Sequence, residues 1–257
     1  MEGQIETVQA NETTAAKSRP GSLFQDLSVA RLTAMRQAGE EVLECYRVLT
    51  KVDANIVGEV LKGQGTFYEW DHYPEGDVYD KETHSQYYYH AHRGAQGEHG
   101  HFHTFLRQKG MPSGVDPVAY DGEAEWPTGD ERLSHLVAIS MDKKGFPTHL
   151  FTTNRWVTGE SFYEAEDVIR LLDRFAMDHA WPSWPTNRWV TAMLVLFRPQ
   201  IEQLLHERDT AIDSWRLKHA DSDAYEDRDL EITSMMPVSV GHQIKQVAKA
   251  LSKAGVS

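Results

Sequence analysis

Between His84 and Arg107 the chain carries six of its thirteen histidines, and His90–His92 and His99–His101–His103 recur at intervals of two. That spacing is a strand period, because side chains alternate faces along extended backbone. It predicts that His84, Gln86, Tyr88, His90 and His92 share one face of a first strand, and that His99, His101, His103 and Phe105 share one face of a second. The Gly94-Ala-Gln-Gly97 break between two aromatic, β-prone runs reads as the turn of a hairpin. If the two histidine faces coincide, several imidazoles converge, and a pair at i and i+2 is able to chelate one ion from a strand. A lone histidine here would more simply be a solvated or hydrogen-bonded residue. Two His-X-His pairs facing each other across a short turn shift the reading to a metal site.

The rest of the chain fits an α+β fold built around this hairpin. Residues 1–22 are polar and aperiodic and read as a disordered tail ahead of a single domain over 23–257. Asp26 or Ser28 caps a helix reaching about Leu49, and a second helix covers Asp53 to Leu61, so that helices occupy 26–62. Thr66–Trp70 reads as a strand and Asp71–Gly76 as a turn. The hairpin follows, then a long Gly/Pro/acid-rich loop over 109–130, then strands at His135–Met141 and Phe146–Thr153 around an Asp-Lys-Lys-Gly turn. The sum is an antiparallel sheet of about five strands over 66–153. A helical part covers 161–252. It includes a capping box at Ser161…Glu164, helices over 187–197 and from Pro199 to about Leu217, an acidic loop at 221–229, and a terminal helix at 240–251.

The predicted metal ligands are His90, His92, His101, His103 and His149, with Glu98 as a carboxylate partner; the sheet is able to bring either His135 or His149 to the hairpin. A mixed histidine and carboxylate set with an open position suits iron, and an all-histidine set suits copper or zinc. Haem on one axial histidine is a weaker alternative, since no attachment signature is present. His90-X-His92 followed by Glu98 loosely resembles the first metal motif of cupins, yet the gap to Glu98 is longer, the flanking glycine is displaced, and the helices beyond Ser161 do not suit a plain jelly roll.

A second feature is the word Thr-Asn-Arg-Trp-Val-Thr, present at 153–158 and again at 186–191. Capping by Asn or Thr and packing by Trp explain such a word without a ligand. The functional reading makes Arg155 and Arg188 two arms of an anion pocket, with Tyr88 contributing to an aromatic substrate wall.

Charge and cysteine count narrow the function further. Against 39 acidic residues stand only 26 Lys and Arg, a net charge of -13, with no concentrated basic surface to suit nucleic acid or an anionic membrane. One cysteine forms no intrachain disulfide and supports a cytoplasmic setting. The longest apolar run, Ala192–Phe197, is too short to span a bilayer. Walker, dinucleotide, serine-elbow and His-Glu-X-X-His motifs are absent from the sequence. The expectation is a metal-dependent enzyme oxidising a small molecule with oxygen. The alternatives are a metal-assisted hydrolase and a non-catalytic metal- or haem-binding accessory protein.

Overall fold

The computed structural model describes residues 23–24, 26–91 and 98–256, so the expected tail, His92 and the Gly94–Gly97 turn lie outside the described residues. Ser28 caps the first helix, its hydroxyl accepting from the Arg31 N–H at 3.2 Å, and α1 runs Val29–Thr50. Leu32, Met35, Ala38, Val42, Cys45 and Leu49 recur every three or four residues along it and are buried as one stripe. Asn55 caps the short α2 (Ile56–Leu61) by accepting from the Gly58 N–H at 2.9 Å.

The sheet has six antiparallel strands in sequential order, one more than the sequence predicts. They are β1 (Tyr73–Tyr79), β2 (Ser85–His90), β3 (Gly100–Arg107), β4 (Leu133–Met141), β5 (Pro147–Thr153) and β6 (Ile232–Pro237). The first strand corrects the reading of 66–76: the strand lies at 73–79, and the turn chemistry of Pro-Glu-Gly-Asp is spent inside it as a bulge. Tyr73 pairs with Tyr89 and the next partner pair is Val78 with Tyr87. Gly76 at φ 83° and Asp77 at φ 59° take the left-handed backbone that such a bulge requires. An edge strand also tolerates Pro74, which has no N–H to give to a ladder. The sixth strand, Ile-Thr-Ser-Met-Met-Pro, has no clean alternation. It is held on β5 by pairing and by Thr152 Oγ1, which bonds the hydroxyls of Thr233 and Ser234 at 2.8 and 2.6 Å.

Between β5 and β6 the chain forms α3 (Arg155–Thr158), α4 (Ala165–Leu172), α5 (Trp184–Leu196) and α6 (Arg198–Lys218), and α7 (Val240–Lys253) ends it. Pro185 and Pro199 sit in the first turns of α5 and α6, where a missing N–H costs nothing. The expected capping box does not form. Glu164 is itself the N-cap of α4, and the Ala165 N–H is satisfied by Asp209 Oδ2 at 2.6 Å instead.

One face of the sheet packs on helices. Tyr87, Tyr89, Phe102, Leu106, Val137, Ile139, Met141 and Leu150 join residues of α1, α2, α5 and α6, with Trp189 fully buried among them, in one apolar core. The opposite face carries Tyr88, His90, His101, His103, Phe105, His135 and Phe151, and these are buried as well.

Candidate metal centre

Three histidines meet on that second face. His90 pairs with His101 across β2 and β3, and His103 follows two residues on, so strand alternation brings all three side chains to one side. One ring nitrogen from each lies within 4.8 Å of the other two, and all three residues are buried. The ring centroids are 4.5 Å (His90–His101), 5.2 Å (His90–His103) and 4.9 Å (His101–His103) apart. His90 Nε2 and His101 Nε2 stand 2.7 Å apart, a separation that needs a proton between them. Two nitrogens on one tetrahedral ion at about 2.05 Å would lie roughly 3.3 Å apart, so metal would replace that proton after a small opening of the pair.

A second layer fixes the rings. Glu98 bonds His101 Nδ1, with both side chains nearly inaccessible, leaving Nε2 as the nitrogen turned to His90. His103 Nδ1 meets His135 Nε2 at 3.0 Å. Burial pushes the His135 pKa down to about 3, aided by the nearby Arg208 and His101 charges, so this imidazole is neutral at ordinary pH. Its backbone N–H donates to Glu160 Oε2 at 2.5 Å. Burial raises the Glu160 carboxyl to about 7, against the pull of Arg208. Aromatic rings form the walls: Tyr88 lies 5.3 Å from His90 and 5.2 Å from His103, and Phe151 lies 5.2 Å from His101.

Four of the predicted metal residues, His90, Glu98, His101 and His103, are therefore brought together, while His92 lies outside the described residues. His149 shares the face through its pairing with Ser140, but it stands two strands beyond His101, and its Nδ1 bonds Thr148 Oγ1 at 3.2 Å. His135 is the histidine that reaches the triad from β4. Two hairpin histidines depart from the expected common faces. His99 precedes β3 and bonds Tyr89 Oη, on the helix-packed side, at 2.6 Å. The approach is possible because residue 100 is glycine, whose Cβ would lie 2.5 Å from that phenol oxygen. His84, at φ 61°, precedes β2 and bonds the Tyr79 hydroxyl.

The two arginines of the repeated word have separate surroundings. Arg155 is buried, with Nε donating to Glu160 O at 2.8 Å and Nη1 to Glu226 Oε1 at 2.6 Å. Arg188 sits on α5 beside Glu41 of α1, at 2.5 Å, and over the Trp184 ring. The identical words occupy different structures, a strand end with one helical turn in the first and the body of α5 in the second. In both, Asn ties a loop to the core, Asn154 Nδ2 donating to Ala224 O at 2.7 Å and Asn187 Nδ2 to His179 O at 2.8 Å. Trp156 Nε1 donates to Leu230 O at 2.9 Å and Trp189 Nε1 to Tyr46 Oη of α1 at 3.0 Å.

Comparison with protein families gives one match, over residues 36–238, to a family described as Domain of unknown function (DUF6969). The chain belongs to this family. The DUF6969 span begins inside α1 and ends just after β6, so it takes in the whole sheet, the triad, Glu98, His135 and Glu160, and leaves α7 outside. No curated protein and no solved structure matches the chain.

Proposed function

We propose that this protein is a metal-dependent enzyme in which His90, His101 and His103 would hold one transition ion, and that it oxidises a small molecule with oxygen as the oxidant. The observation that carries the reading is the convergence of three buried imidazole nitrogens within 4.8 Å. Three neutral donors leave at least one coordination position for an exogenous ligand, the arrangement of a catalytic rather than a closed structural site. Glu98 supplies the carboxylate that orients one ligand and offsets part of the ion's charge, and His135 orients another.

Buried aromatic walls at Tyr88, Phe105 and Phe151 favour oxygen chemistry over hydrolysis, because they keep bulk water from the centre. An ion that changes oxidation state, iron or copper, would supply the electron transfer; the protein would position the substrate and hold the ligand rings. The lone Cys45, buried and free, suits a reducing cytoplasm. The test is reconstitution of metal-free protein with iron(II), copper(II) or zinc(II), followed by oxygen-uptake measurements with small-molecule substrates. Uptake with iron or copper that disappears in His103→Ala supports oxidation. Stoichiometric retention of zinc alone, with no oxygen uptake, contradicts it and points to hydrolysis.

A further inference from the structure

Along β2 and β3, the histidine face runs into an open cleft of about 1210 Å³. Gln86 and Arg107 line the cleft, and Tyr88 is the one residue of that face between Gln86 and His90. Over Tyr88 lies His72, which also lines the cleft. Its ring stacks on the phenol at 3.6 Å and 10°, and its centroid is 5.6 Å from that of His90. Asp77 Oδ1 holds His72 by Nδ1 at 3.1 Å. A partition one stacked pair thick therefore separates the cleft from the triad.

The charges of the cleft select its ligand. Its two cations are already matched: Lys109 meets Asp130 at 3.0 Å, and Arg107 meets Glu131 at 3.9 Å while donating to Gln86 Oε1 at 2.6 Å. Three further carboxylates, Asp71, Glu75 and Asp77, line it without a Lys or Arg partner among the described residues, although Asp77 already meets His72 through Oδ1 and accepts from Gln86 Nε2 at 2.6 Å through Oδ2. The Tyr79 wall already carries the Arg107 guanidinium 5.9 Å from its ring centre, a surface of the kind that accepts a cation.

We infer that this cleft binds the substrate of the metal centre and that the substrate is an organic cation, an amine or a guanidine. The inference rests on the metal reading and adds the substrate class to it. The cationic group sits among Asp71, Glu75 and Asp77, and the rest of the molecule reaches past His72 towards the triad.

Calorimetric titration of the full chain, metal-loaded and metal-free, with benzylamine, benzyl alcohol and benzoate tests the charge preference on one ring framework. Benzylamine is expected to bind about tenfold or more tighter than the alcohol, with benzoate weakest, and the Asp71→Asn/Glu75→Gln/Asp77→Asn protein is expected to lose that advantage. Asparagine tolerates the left-handed backbone at position 77, and circular dichroism checks that the variant folds. Manganese(II) or cobalt(II) on the triad should broaden the benzylamine proton resonances, and His101→Ala should abolish the broadening. Equal affinity for the three compounds, preference for benzoate, or indifference to the triple substitution overturns the cation cleft. Benzylamine binding by a protein that takes up no metal on reconstitution leaves the cation cleft standing and overturns the metal reading. A metal-loaded protein that shows no amine preference does the reverse.

Discussion

The two faces of the central strands are equally buried and chemically opposite. On β2, Tyr87 and Tyr89 enter the helical core while Tyr88 and His90 turn the other way; on β3, Phe102 and Leu106 oppose His101, His103 and Phe105. Apolar burial stabilises the first face by about 25 cal/mol per Å² removed from water. The second face gains little in that way, since every imidazole withdrawn from water must find a partner. The imidazole partners are other histidines and, on His101, the carboxylate of Glu98; Glu160 accepts from the buried backbone N–H of His135. The comparison teaches that depth of burial does not distinguish a core from a site; the way each buried polar atom is satisfied does.

Substitutions on the two faces should therefore separate stability from metal binding. The largest loss of stability is expected from Phe102→Ala on the helical face, about 4 kcal/mol by urea denaturation, equal with and without metal. A metal-dependent loss there would break the distinction.

Next comes the pH response of the histidine face. Glu160 has a folded pKa near 7 against an ordinary 4.5, so between these values the folded state keeps a proton that the unfolded chain has released. Taken alone, Glu160 lowers the stability of the metal-free protein as pH rises from 4.5 through 7, by on the order of 3 kcal/mol. His135, held neutral in the fold, raises stability over the range up to 6.5 and offsets that loss, so Glu160→Gln should unmask a stability that climbs with pH relative to the parent. The same pH dependence in parent and variant would contradict the assignment.

Glu98→Gln tests the second layer. It should weaken metal affinity about 10–100-fold, read by chelator competition, while leaving metal-free stability close to that of the parent. The smallest effect is expected for Tyr87→Phe. It removes a phenol bond to Asn187 Oδ1 of 2.6 Å on the helical face, costs about 1 kcal/mol, and leaves metal affinity unchanged.

The period of two in the hairpin made its two strands and much of the centre legible, because alternation alone decides which side chains share a face. His135 was harder to place for a local reason. Simple alternation on β4 would set it with Val137 and Ile139, towards the helices. The register shift that pairs Thr104 with Val137 and Phe105 with His135 leaves Leu136 unpaired, and this bulge turns His135 to the triad. No periodicity marks one unpaired residue. The bulge of β1 similarly carried turn chemistry inside a strand, and β6 depends on pairing with a strand from which four helices separate it in sequence. The two copies of Thr-Asn-Arg-Trp-Val-Thr show the same limit from the other side, since tertiary packing gives one word two conformations. His72 reaches the centre by stacking on Tyr88 from a segment read only as a turn.

The most direct test of the central claim is metal content, measured by elemental analysis together with an absorption spectrum on untagged protein purified without chelator. The His90→Ala, His101→Ala and His103→Ala variants are prepared in the same way and checked for folding by circular dichroism. The account predicts close to one transition ion per parent chain and its loss from each folded variant. A parent protein that holds no metal and takes none up on reconstitution, or variants that retain the full amount, would contradict it.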